Sequence, residues 1–265
     1  MNSDENKRIL HRLGYYSYLD GLIRRYPGQK GLWDKHLDNS RRFILQAVEL
    51  VNPVKVTVLG SGWLLDFPLA EILEKGIRVT LVDIVHPPEL KKQVAGNSYI
   101  TLIEEDVTGG LIREIWEKAG KLPFYRKLRS PGDINVPEYL PGDNPGLIIS
   151  LNILSQLDVL PLRFLRKKAD ADESELNKLR EKIHSAHIRF LQKQSSVLIT
   201  DYEEVTVGND GKTTTKPTVL ATLPESAARE DWIWDFDLTG TDSFSKRSFL
   251  KVAAILIRNH SFDNE

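Results

Sequence analysis

The sequence predicts an α/β protein in which a doubly wound, mixed but mostly parallel sheet of seven strands follows an N-terminal helical cap. Three observations carry that expectation. Residues 54–86 read as one strand–helix–strand unit, strand-length apolar runs alternate with helical ones as far as residue 201, and a hairpin signal and a last apolar run close the chain.

The first fifty residues have a helical pattern. YSYLDGLIRRY is broken at Pro27-Gly28, and LWDKHLDNSRRFILQAVEL then runs amphipathically into Pro53, so residues 1–53 form the cap and 54–265 the sheet domain. Trp33, His36, Arg41 and Arg42 fall on the second stretch, which is expected to fold over the carboxyl edge of the sheet, with Trp33 in the core and the arginines solvated. Val54, Val56, Val58 and Leu59 make a β-branched run closed by Gly60, which reads as a buried strand. Leu64, Leu65, Pro68, Leu69, Ile72 and Leu73 fall at helical spacing with Gly76 where a C-cap belongs, so a helix is expected directly after the glycine turn. Ile77, Val79, Leu81 and Val82 form the next strand, which ends at Asp83.

Further strands are expected near 98–103, 146–151 and 196–201. Residues 119–146, rich in Pro and Gly, form a connection of a length usually found in lids, binding loops or disordered segments. KKADADESE at 167–175 reads as a solvated loop or fraying helix end. Alternating apolar residues around Asn209-Asp210-Gly211 signal a hairpin near 203–220, and SFLKVAAILIRN a last strand; these late strands make the sheet mixed. Trp232 and Trp234 alternate in EDWIWDF, so both point the same way, into the core or onto a pocket wall.

Composition narrows the function classes. A chain of 265 residues can bury a sizeable core, and its net charge of −1, with both signs mixed along the chain, disfavours a general nucleic-acid binder. The absence of cysteine excludes disulfides, thiolate metal sites and a cysteine nucleophile. No leader-like stretch begins the chain and no run approaches the ~20 apolar residues of a membrane span, so a cytoplasmic protein with no membrane partner is expected. A G-x-S-x-G elbow and a GxxxxGK[ST] loop are both missing, which removes the serine-hydrolase and P-loop readings. Nothing in the sequence assigns an oligomeric state.

The candidate site begins at Gly60-Ser61-Gly62. A strand that turns sharply while its backbone approaches a ligand needs residues without a Cβ, and Asp83 follows Gly60 at close to the roughly 20 residues expected of a carboxylate that accepts from ribose hydroxyls. That pairing suits more than one nucleoside cofactor, although Leu65 stands where a dinucleotide fingerprint wants its third glycine. Polar Asn152, Ser155 and Gln156 interrupt the apolar LIISLNILSQLDVL and read either as a site edge or as a helix-capping cluster. His184 and His187 share a helix face without an identifiable third ligand, so a structural role is expected and no metal is assigned.

The order of these motifs resembles a class I S-adenosylmethionine-dependent methyltransferase over about residues 54–201. The phrases GSGWLLDFPL, LVDIVHP, EEDVTG and SLNILSQL are similar to a group of bacterial methyltransferase-like proteins without a settled substrate. The resemblance implies a Rossmann-like sheet and S-adenosylmethionine as cofactor. It places Gly60, Ser61 and Gly62 at the methionine part and Asp83 at the ribose, with Ile84 also against the cofactor. It places Asp106 at the adenine amino group, where Glu104 and Glu105 compete for the role, with Val107 offering a backbone amide. Asn152 falls between cofactor and substrate. Candidates for orienting the acceptor, a small or peptide-like molecule, are Asn152, His36, His86 and the 119–146 connection. Two positions depart from the family pattern: Val58 stands where an acid is common, and Leu64 where a third glycine is. A non-catalytic methyltransferase-like binding module and an NAD-dependent oxidoreductase are the alternative functions. The former predicts a filled or collapsed cleft beside Gly60.

Overall fold

The computed structural model describes residues 3–29, 31–123, 125–142, 144–238 and 247–258. The helices are α1 Ser3–Leu13, α2 Tyr15–Arg25, α3 Asp34–Val51, α4 Leu69–Glu74, α5 Pro88–Val94, α6 Leu111–Ile115, α7 Val159–Lys168 and α8 Glu173–Gln192. The strands are β1 Lys55–Leu59, β2 Arg78–Asp83, β3 Ile100–Glu104, β4 Leu147–Leu151, β5 Ser196–Val207, β6 Thr213–Pro217, β7 Arg229–Asp237 and β8 Arg247–Ile257.

One sheet contains all eight strands, one more than the sequence predicts. Its order is β3-β2-β1-β4-β5-β8-β7, with β6 paired to β5 alone. β1 to β5 are mutually parallel, while β8 runs antiparallel between β5 and β7, so the sheet is mixed and mostly parallel. β5 is longer than expected because the strand at 196–201 and the first arm of the hairpin are one strand, bent by a register shift between Asp201 and Glu203. The hairpin turns at Gly208–Lys212, where Gly211 has φ +74°. The expected last strand ends at Ile257, and Asn259 at its end lies outside the described residues, as do the outermost ends of both expected segments.

Side chains alternate along the strands between two apolar layers, which is why the parallel runs read as continuously hydrophobic. Val56, Val58, Leu81, Ile149, Val197 and Val252 pack with α3 to α5, whereas Leu59, Val82, Ile148, Leu198 and Ile255 pack with α6 to α8. Val58, where the family often has an acid, is completely buried in the first layer. A third cluster, of Ile9, Leu10, Leu13 and Ile112 with Tyr15, Tyr16, Ile84 and Val85 against it, seats α1 and α2 at the carboxyl end of the sheet. The cap therefore divides. α3 lies on a sheet face with only its start near the carboxyl edge, while α1 and α2 cover that edge, a role the sequence assigned to α3.

Three local expectations change. No helix follows the glycine turn directly, because Gly62 (φ +46°) and Leu64 (φ +54°) are left-handed and break the helical ladder; Leu64 and Leu65 pack on the core from an irregular segment, and α4 starts only at Leu69. The 167–175 stretch is ordered punctuation: α7 ends at Lys168 and Asp172 forms a capping box with Glu175 at the start of α8. The 119–146 connection packs Ile134 and Tyr139 into the second apolar layer.

Candidate functional site

The strand order reverses between β1 and β4, and in open α/β sheets the crevice outside the carboxyl ends at such a point is where ligands bind. A cavity of about 190 Å³ opens there. One water needs only about 10–15 Å³ by the same measure, so this is no packing defect. Gly60, Ser61 and Gly62 after β1, Asp83 and Ile84 at the end of β2, Asp106 and Val107 after β3, and Asn152 after β4 all border it. The eight residues expected around a cofactor thus line one space. Tyr15, Tyr18 and Leu19 of α2 close it from above, with Trp33, Leu37 and Trp234 on a further wall.

The glycine turn is fixed from two sides. Gly60 has φ +79°, and a Cβ there would lie 2.8 Å from the Ile153 Cβ and 3.0 Å from the Leu151 carbonyl, so the close approach of the segment after β4 requires glycine. The Gly62 N–H donates to Asp83 Oδ2 (2.8 Å) and the Ile84 N–H to Oδ1 (2.7 Å), which ties the turn to the acid at the end of β2. Burial raises the Asp83 carboxyl above its ordinary range, against the pull of the Gly62 N–H. Ser61 is buried with its hydroxyl 3.3 Å from His86 Nδ1, while His86 Nε2 lies 3.1 Å from the Ile103 carbonyl. A carbonyl only accepts, so Nε2 carries a proton there. His86 does not line the cavity; it holds Ser61 from behind, unlike the cavity-side position expected of it.

Of the three acids at the end of β3, Glu104 turns away, pairing with Lys91 at 2.6 Å and accepting from the His86 N–H. Glu105 and Asp106 both reach the cavity. Asp106 accepts from the Thr108 N–H (2.9 Å) and hydroxyl, and through Oδ2 from the Ile112 N–H (3.2 Å), so it also anchors the start of α6. Burial raises its carboxyl too, and it raises the Tyr15 phenol, which faces Asp106 and Asp83. Glu105 accepts from Tyr139 Oη at 2.7 Å, the contact through which the 119–146 connection braces the cavity wall. No described residue of that connection lines the cavity, and Glu138 pins it to α8 through Arg189 and Lys193.

Asn152 is left-handed (φ +49°), and one atom of its side-chain amide lies 2.6 Å from Asp66 Oδ2 and 3.1 Å from His36 Nε2. Ser155 donates instead to Asp201 (2.5 Å) and Gln156 to the Asn152 carbonyl (2.5 Å), and no side chain caps the helical turn at Leu154–Gln156 or α7, so the capping alternative falls away. His36 stands behind Asn152 rather than on the cavity wall. Its ring stacks on Trp234 (centroids 3.8 Å apart, planes at 2°), Trp232 Nε1 donates to its Nδ1 (3.1 Å), and burial depresses it to about 3, so it is neutral. Trp232 and Trp234 thus combine the two roles open to them, core packing and pocket support.

Sequence reasoning missed Asp66, Trp63 and Tyr15, all on the cavity wall. For Asp66 a signal existed: it is the one acid within the apolar GWLLDFPL. The two helix histidines are structural. The Leu220 N–H donates to His184 Nδ1, so His184 Nε2–H donates to Asp158 (2.9 Å), and His187 Nε2 meets the Ser150 hydroxyl at 2.8 Å. Among the described residues no cluster of three acids or histidines could hold a metal ion, and no helix is long and apolar enough to cross a membrane.

No family model and no curated protein matches the chain. Among solved structures it is similar to the 1,6-didemethyltoxoflavin-N1-methyltransferase of Burkholderia thailandensis with bound 1,6-didemethyltoxoflavin and S-adenosylhomocysteine, at 12% identity and a TM-score of 0.40 over 92% of this chain and 90% of that one. It is also similar to the DhpI-SAM-HEP complex, at 11% identity and a TM-score of 0.33 over 91% of this chain and 95% of that one.

Proposed function

We propose that the chain is an S-adenosylmethionine-dependent methyltransferase acting on a small molecule. The observation that carries this reading is the cavity at the strand-order reversal, which the Gly60-Ser61-Gly62 turn, Asp83, Asp106 and Asn152 border together. The residues present fit the group. The turn at Gly60, Ser61 and Gly62 borders the space for its amino-acid part, Asp83 has lone pairs left for ribose hydroxyls beyond its two backbone N–H contacts, and Asp106 with the Val107 amide suits the adenine edge. When bound, the cofactor supplies a methyl group already activated on a sulfonium. The protein's part is then to orient and to exclude water: Asn152, set by His36 and Asp66, orients the acceptor, while Tyr15, Tyr18 and Leu19 close the space.

The dinucleotide alternative is less well supported. A pyrophosphate is ordinarily held at a helix N-terminus, yet the residues after this glycine turn are irregular up to Leu69, and the wall carries Asp83, Glu105 and Asp106. The open space beside Gly60 also favours a ligand-binding protein over a relative with a filled cleft. Isothermal titration tests the reading: S-adenosylmethionine and S-adenosylhomocysteine are expected to bind with micromolar Kd, about −8 kcal/mol, and NAD not to bind. Folded protein that gives heat with NAD alone, or with none of the three, overturns it.

A further inference from the structure

The site holds a hydrogen-bond chain whose proton order can be deduced. The Trp232 indole N–H can only donate, so His36 Nδ1, 3.1 Å away, accepts and the neutral ring carries its proton on Nε2. That N–H points at the Asn152 amide 3.1 Å away, so the amide must present its oxygen there. The same amide atom lies 2.6 Å from Asp66 Oδ2, and two oxygens at that separation share a proton, which makes Asp66 a carboxylic acid. Burial raises the Asp66 carboxyl above its ordinary range, the direction that favours the acid form. The remaining amide atom of Asn152 finds no partner among the described residues, and in this orientation it is the N–H₂.

Two other groups on the cavity wall are in the same condition. The indole Nε1 atoms of Trp63 and Trp234 are buried and find no partner among the described residues; Trp234 and Asn152 are each only 8% exposed. All three are donors, and a buried donor left unpaired costs about 1–3 kcal/mol, so a ligand that satisfies them gains by it. Asn152, Asp66, Trp33, Leu37 and Trp234 lie on the β4 and β7 side of the cavity, away from Asp83 and Asp106, which leaves that side to the second ligand.

We propose that this half of the cavity takes an uncharged, planar, acceptor-bearing molecule, with carbonyl oxygens or ring nitrogens, read by N–H donors of Asn152 and Trp234 while protonated Asp66 fixes the Asn152 amide. The assignment rests on the methyl-transfer reading for its meaning as the acceptor site. Its test does not. Three probes of similar shape are titrated by tryptophan fluorescence in the presence of S-adenosylhomocysteine: neutral quinazolin-4-one, anionic quinoline-4-carboxylate and protonated 4-aminoquinaldine. The neutral probe is expected to bind at least about tenfold more tightly than either ion. D66N, which mimics the neutral acid, keeps that affinity within about threefold, N152L lowers it by about tenfold or more, and the infrared band of a protonated carboxyl seen in the wild type is missing from D66N.

Preference for the cation together with its loss in D66N would show Asp66 acting as a carboxylate and overturns the proposal, as does preference for the anion or binding of none of the three. Should quinazolin-4-one bind in protein that ignores S-adenosylhomocysteine, the ligand class stands and the methyl-transfer reading falls.

Discussion

Gly60 shows how one position can decide a site. Its left-handed φ, and the 2.8 Å that would separate an added Cβ from Ile153, leave no space for a side chain. G60A is therefore expected to lose about 2–3 kcal/mol in urea unfolding, and an unchanged midpoint would contradict the close approach described for the segment after β4. His187 offers a second residue-scale test. Burial depresses it to about 3, whereas unfolded it titrates near 6.5, so the unfolded chain takes up a proton that the folded one refuses. Its contribution is whole above about pH 6.5 and is lost as pH falls towards 3, by about 1.4 kcal/mol per pH unit. Buried Asp66, Asp106 and Asp201, with raised folded values, act in the opposite sense at acid pH, so the variant comparison is what isolates the histidine. Between about pH 6 and pH 5, H187N should lose stability less steeply than the wild type by about 1 kcal/mol per unit; parallel slopes would refute it. At this scale the sequence was legible where chemistry is local. Gly60, Asp83, Asp106 and Asn152 stand at strand ends that periodicity locates, but the partners of Asn152 lie 86 and 116 residues away, and no pattern encodes such distances.

At the scale of elements, boundaries follow from caps and left-handed residues more than from apolar spacing. The helix expected after the glycine turn is displaced because Gly62 and Leu64 both take positive φ, information absent from the helical spacing of Leu64, Leu65 and Leu69. The charged 167–175 stretch hid the reverse case, a capping box at Asp172 and Glu175. D172A is expected to cost about 1 kcal/mol, a fall in Tm of about 2–4 °C, with S-adenosylhomocysteine binding unchanged. A wild-type Tm would mean that α8 does not depend on its cap, and a lost ligand response would mean that α8 feeds into the site. β5 is similarly longer than its apolar core suggests, since the half-buried residues beyond Asp201 gain their order from β6 and β8.

For the whole molecule, the alternation of apolar runs was enough to read a doubly wound, mostly parallel sheet, because strands buried on both faces must be hydrophobic throughout. Strand order was not legible, since it is set by packing between distant segments, and the reversal between β1 and β4 is what gathers four separate motifs around one cavity. The division of the cap into a face helix and an edge cover was equally hidden: α1, α2 and α3 are all amphipathic, and only the tertiary packing of Ile9, Leu10 and Leu13 sends the first two to the carboxyl end. The central claim is that this cavity seats an S-adenosyl ligand with its ribose at Asp83. A crystal soaked with S-adenosylhomocysteine measures it most directly. Ligand density is expected over Gly60-Ser61-Gly62, with both ribose hydroxyls within hydrogen-bond reach of the Asp83 carboxylate; density elsewhere, or none in a cavity open to solvent, would contradict it.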